Sequence, residues 1–156
     1  MGNDLYKDGL GPKELARMPF FYIFSREDLE ILSHIVTVKN FGANRYIVKE
    51  GDEQSEMYFI LQGKVSVLKK DYQGNEDVLA ELVYPHIFGE MALVSGGLRS
   101  ASIKSITDII VAEVTCENFE SLIESQPKLA LKFIRRIADT INSKLQKLNI
   151  NYVDSI

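Results

Sequence analysis

At 156 residues the chain suits a single domain, long enough to bury roughly two-thirds of the surface its unfolded form exposes. A net charge of −4 excludes a whole-molecule attraction to nucleic acid or anionic membrane, so either partner would require a local basic patch. Cys116 is the lone cysteine, which rules out an internal disulfide and a multi-thiolate zinc site and fits a reducing compartment.

The N-terminal MGNDLYKDGL has no apolar core of signal-peptide length, and Tyr6 stands where a myristoylation signal would place Ser or Thr. No apolar run approaches bilayer length, so the expected location is cytoplasmic and no membrane partner is expected. Residues 1–18 read as an extension. Pro19 with Phe20, Phe21 and Phe24 forms a hydrophobic lead-in, and Ser25 followed by Asp28 predicts a capping box opening a helix through LEILSHI. That helix should dock on the body of the domain.

From Val36 to Thr115 the chain breaks into short β-branched and aromatic runs. VTVKNF (36–41), RYIVKE (45–50), EMYFIL (56–61), KVSVLKK (64–70), DVLAELV (77–83), SASIKSI (100–106) and DIIVAEV (108–114) predict strands. Gly42, Gly51, Gly63 and Gly74 fall between runs, where a tight reversal or a positive φ is expected. Regular short strands of this kind predict a sandwich or barrel. His86, in VYPHIFGE, has no second histidine or acid in register and reads as a turn residue.

Within this region FGEMALVSGGLRSASI places Glu90 and Arg99 on either side of two adjacent glycines. EMALVS predicts a short helix, stopped by Gly96 and Gly97. Its first N–H groups have no intrahelical partner and suit an anion. If the glycine turn folds Arg99 back to that helix start, the guanidinium can grip two phosphate oxygens. Glu90 repels a triphosphate or a nucleic-acid backbone, yet it can accept from a hydroxyl beside a singly charged phosphate. A plain Glu90–Arg99 salt bridge in a connecting loop is the other reading.

ENFESLIESQ predicts a helix, and Pro127 opens a longer one in which Ile134, Ile137, Ile141, Leu145 and Leu148 recur at intervals of three and four. This stripe is buried either against the barrel or in a seam with a second copy, and both can hold along different parts of its length. The opposite face carries Lys128, Lys132, Arg135, Arg136, Lys144 and Lys147 against Asp139, and reads as a solvated face.

FGEMAL, the nine-residue step from Glu90 to Arg99, and the Arg-Ser-Ala that follows resemble the phosphate-binding cassette of cyclic nucleotide-binding domains. These occur in regulatory subunits of cyclic-AMP-dependent kinase, nucleotide-gated channels and catabolite-activator-type regulators. The resemblance extends from Phe20 to Leu148 through IFSREDLEIL, IVKEGDEQSEMYFILQGKVSV and ENFESLIESQPKLALKFIRRIADTI. It implies a mainly β fold, an eight-stranded jelly roll with N-terminal helices and a long C-terminal helix. The implied domain covers 19–149, with the barrel at 36–115, helices at 116–149 and a tail at 150–156.

The resemblance also implies roles. Glu90 would accept from the ribose 2′-hydroxyl and Arg99 would hold the cyclic phosphate. Amides of Met91, Ala92 and Ser100 would complete the cradle, and Phe88 and Gly89 would line the sugar. Arg99 is expected to be partly solvated without ligand. Ungapped register places Lys144 and Leu145 where relatives touch the base, and Pro85-His86 replaces a common Gly-Asp. Cyclic AMP is the expected ligand, with cyclic GMP the alternative, because Ser100 could meet either the phosphate or a guanine amine. The implied function is a regulatory module acting through its C-terminal helix and an unidentified protein partner, with a homodimer through that helix as a possible assembly. No enzyme motif, cofactor or metal site is expected. Too little chain follows Leu148 for a helix-turn-helix, so no nucleic-acid binding by this chain alone is expected. The other class of function is a non-sensing interaction scaffold with a vestigial site.

Overall fold

A computed structural model describes the backbone of residues 6–155 and the side chains of residues 6–147. The segment before Tyr6 and the side chain of Leu148 therefore lie outside the described residues. The chain divides between Phe119 and Glu120 into two compact units.

In the first unit eight antiparallel strands form two four-stranded sheets, the arrangement expected of a jelly roll. The strands are β1 (Val36–Phe41), β2 (Tyr46–Val48), β3 (Met57–Gln62), β4 (Val65–Lys70), β5 (Glu76–Leu82), β6 (Ile87–Phe88), β7 (Ser102–Ser105) and β8 (Ile109–Val114). One sheet has the order β1-β8-β3-β6 and the other β2-β7-β4-β5. Seven of these strands coincide with the predicted runs. The eighth, β6, pairs Phe88 with Tyr58 and Ile87 with Phe59, and is too short to stand out in sequence.

Strands β3 and β8 are buried on both faces, which is why MYFIL and IIVAEV read as continuous apolar runs. One face of β3 contributes Tyr58 and Ile60 to a core with Ile47, Val65, Phe88, Ile103 and Val111. Phe59 points the other way, into an aromatic cluster with Phe20 and Phe21 at ring-centroid distances of 5.1 Å each. The hydrophobic lead-in thus becomes a short 3-10 turn, Pro19–Phe21, docked on the sheet. Ser25 and Asp28 form the expected capping box at the start of α2 (Arg26–Ser33). The expected extension 1–18 contains a helix of its own, α1 (Pro12–Ala16), whose Leu15 is fully buried.

Strand β5 is an edge strand, exposed along nearly its whole length. Glu76, Asp77 and Glu81 charge this edge, a device that discourages pairing with another chain. Gly63 turns β3 into β4 at φ +97°, and a Cβ there would sit 2.4 Å from the Asp108 carbonyl oxygen, so no other residue fits without displacement. Gly51 and Gly74 also take positive φ, but Gly42 does not. In that loop Asn44 adopts φ 59°, as asparagine tolerates better than most residues.

The short helix α3 (Glu90–Ser95) lies between β6 and β7. Helix α4 (Cys116–Ser125) crosses the boundary between the units; in the first unit Asn118, near its start, donates its backbone N–H to Thr115 Oγ1 at 3.1 Å and its side-chain amide to the Ile35 carbonyl at 3.4 Å. In the second unit α5 (Pro127–Ser155) is a single helix that runs past residue 150, where a tail was expected. Along its stripe exposure rises toward the C-terminus: Ile137 is 1% exposed and Leu145 52%.

Candidate functional site

The stretch singled out in sequence begins where β6 ends. Gly89 is the N-cap of α3 at φ 78°, and its place is set by contact as well as by conformation. A Cβ on Gly89 would lie 2.5 Å from the Glu56 carbonyl oxygen and 2.8 Å from Arg99 Nη1. Only a residue without a side chain lets the strand end, the loop before β3 and the arginine converge at this point.

Arg99 does fold back to the start of α3. Its Nη2 donates to the Glu56 carbonyl at 2.8 Å and lies 3.4 Å from the Glu56 carboxylate, while Nη1 makes a long contact of 3.5 Å with the Gly89 carbonyl. Its backbone is clasped in both directions. Arg99 N–H donates to the Asp52 carbonyl at 2.8 Å, and Gly51 N–H donates to the Arg99 carbonyl at 2.8 Å. The glycines at 96 and 97, with φ of 70° and 97°, supply the turn that makes this return possible.

The expectation that Arg99 would be partly solvated is corrected: it is 5% exposed. The cause is Glu56, 43 positions upstream, whose backbone and side chain wrap the guanidinium from the β3 side. Arg99 Nε is buried without a hydrogen-bond partner among the described residues, an uncommon state for a charged group. That unpaired donor beside a helix start is suited to an anionic acceptor.

The other candidates differ in burial and in place. Glu90, 6% exposed, and Ala92, 8% exposed, are buried at the start of α3, and Met91 between them is 61% exposed. Phe88 is drawn into the core, stacked on Tyr58 at 5.0 Å, so what it leaves at the site is its backbone. Ser100 is exposed, and its carbonyl accepts from Lys69 Nζ at 2.6 Å. Lys144 and Leu145 stand on α5 in the second unit. His86 sits in a turn, with Nδ1 2.9 Å from the Val83 carbonyl oxygen.

Two partly or fully buried acids were not singled out in sequence. Glu56 is one. Glu113 on β8 is the other; it is 4% exposed, lies opposite Tyr58 in register, and pairs with Lys39 Nζ at 2.9 Å. Burial pushes the Tyr58 phenol well above its ordinary value, and the charge of Glu113 and a hydrogen bond donated to it add to the shift. An acid inside a run such as IIVAEV was the available sign of a buried polar pairing. Among the described residues no cluster of three or more metal-ligating side chains occurs, and no helix is long and apolar enough to cross a membrane.

A family model described as the cyclic nucleotide-binding domain matches residues 38–126. The chain is 30% identical over 125 residues to the cAMP-activated global transcriptional regulator CRP of Pasteurella multocida, covering 79% of this chain and 59% of that protein. It therefore spans a little over half the length of such curated relatives. A solved cyclic nucleotide-binding domain from Methylobacillus flagellatus superposes with a TM-score of 0.79 at 22% identity, covering 91% of this chain and 80% of that one. The catabolite activator protein of Thermus thermophilus superposes with a TM-score of 0.72 at 25% identity, covering 86% and 61%.

Proposed function

Because the chain belongs to the cyclic nucleotide-binding domain family, we propose that it is a regulatory module for which cyclic AMP is the ligand, with cyclic GMP the competing choice. The observation that carries this reading is the return of Arg99 to the N-cap of α3 with a buried, unpaired Nε. In this reading the guanidinium takes the cyclic phosphate through Nε and a terminal nitrogen, a paired grip that lysine could not reproduce. The amides of Met91, Ala92 and Ser100 take further phosphate oxygens. Glu90, whose charge would repel a multiply charged phosphate, accepts instead from the ribose 2′-hydroxyl. Gly89 and the backbone of Phe88 flank the sugar.

The output leaves through α5 to a protein partner, and the module is cytoplasmic. Ligand can reposition that helix only if two arrangements of the domain bind nucleotide with different affinity. No step of bond making or breaking is assigned to any residue; the site binds and releases.

Calorimetric titration of cyclic AMP and cyclic GMP into wild type and Arg99→Ala tests the reading. The variant is expected to bind at least tenfold more weakly, since charge-assisted hydrogen bonds contribute about 1.5–3 kcal/mol each. It should also lose about 1 kcal/mol of stability, because the part-buried Glu56 carbonyl is left without its donor. Equal affinities in the two proteins would refute the assignment.

A second reading, a non-sensing interaction scaffold, is favoured by one observation: Nη2 of Arg99 is already engaged by the protein itself. Thermal melting separates the two readings. Ligand at a hundred times its dissociation constant stabilises the sensor by about 2.7 kcal/mol and leaves the scaffold unmoved.

A further inference from the structure

Glu56 reaches Arg99 in two different ways. Its backbone carbonyl accepts from Nη2 at 2.8 Å, a normal hydrogen bond, whereas its carboxylate stands 3.4 Å from the same nitrogen. The second distance exceeds the usual range for a hydrogen bond, so the side chain acts on Arg99 mainly through charge. The orientation of the guanidinium is held chiefly by the Glu56 carbonyl, which any residue at position 56 would retain. Removing the Glu56 carboxylate therefore removes a negative charge without releasing the arginine.

We propose that Glu56 is a built-in competitor for Arg99, a carboxylate that offsets the guanidinium and sets the affinity of the site for a monoanionic ligand. The inference rests on the cyclic-nucleotide reading of the site. Arg99 is one cation with the Glu56 carboxylate beside it. An acid held against the guanidinium makes the site a poorer host for any anion. Glu90 has a use in that ligand, the ribose hydroxyl, and Glu56 has none. An incoming phosphate must therefore displace the Glu56 carboxylate or bind against its repulsion.

The side chain of Glu56 is 30% exposed while that of Arg99 is 3% exposed. Such a pair is screened by solvent from one side only, so its effect lies between a surface pair and a buried one. The partial exposure also gives the carboxylate somewhere to go when ligand arrives, since it can swing into water while the arginine stays.

Titration of cyclic AMP and cyclic GMP into wild type, Glu56→Gln and Glu56→Asp at low and high salt tests this. Glu56→Gln is expected to bind about three- to tenfold more tightly at low salt, with a smaller gain at high salt. Glu56→Asp, which keeps the charge, should stay within about twofold of wild type. A merely structural role would not give a salt-dependent gain confined to the neutral variant. If Glu56→Gln fails to fold, Glu56→Thr, a residue at home beside a strand, carries the same expectation. Wild type that binds while the folded neutral variants bind equally or more weakly overturns this inference and leaves the function standing. Failure of wild type and neutral variants alike to bind either nucleotide overturns both.

Discussion

Gly89 is the single position at which the site is most sensitive to a small change. A methyl group there would meet the Glu56 carbonyl oxygen and Arg99 Nη1, at a backbone angle that L-residues avoid. Gly89→Ala is expected to cost about 1–2 kcal/mol in backbone strain, to push the guanidinium off its carbonyls, and to weaken cyclic nucleotide binding more than tenfold. Denaturant unfolding together with nucleotide titration checks it; a variant with wild-type stability and affinity would show that the convergence at residue 89 is unimportant. Glu56 was invisible before the fold was known because nothing in EQSEMYF separates it from the other acids nearby. Arg99 and Glu90 were legible because the glycines between them and the fixed step of nine residues set them apart. The burial of Arg99 was not legible, since it depends on a carbonyl contributed 43 positions away.

At the scale of elements, strands β1, β8 and β3 are joined by a polar stitch through Lys39, Glu113 and Tyr58. The Tyr58 phenol is held protonated in the folded state by burial and by Glu113, so its folded value lies above the unfolded value of about 10. Unfolding would release its proton at lower pH than the folded protein does. The stability it contributes is complete below about pH 10 and is lost as pH rises from there toward the folded value. Wild type should therefore melt at falling temperature above about pH 10, and Tyr58→Phe should show a shallower fall; parallel curves would remove Tyr58 as the cause. Most elements were legible because β-branched runs and glycine punctuation mark them one at a time. The exceptions have physical reasons. β6 has two residues and borrows its order from β3, and α1 is five residues long without a side-chain cap.

For the molecule as a whole, the apolar stripe of α5 is buried at Ile137 and 52% exposed at Leu145. If a second copy covers it, Leu145→Glu should convert a dimer to a monomer in sedimentation velocity while leaving the melting of the barrel unchanged. A wild-type chain that sediments as a monomer at high concentration would exclude that assembly. The eight-stranded architecture was expected from sequence, yet the resemblance and not the periodicity supplied the count of strands. The reciprocal backbone bonds linking Arg99 with Gly51 and Asp52 carry a different consequence. They tie together stretches that are remote along the chain, so no fragment of the polypeptide holds a rudimentary version of the grip. Such non-local closure comes at high entropic cost and late in folding. The grip thus forms only once both stretches have been brought together, and a chain cut between residues 52 and 99 would have to reassemble the two pieces to recover it.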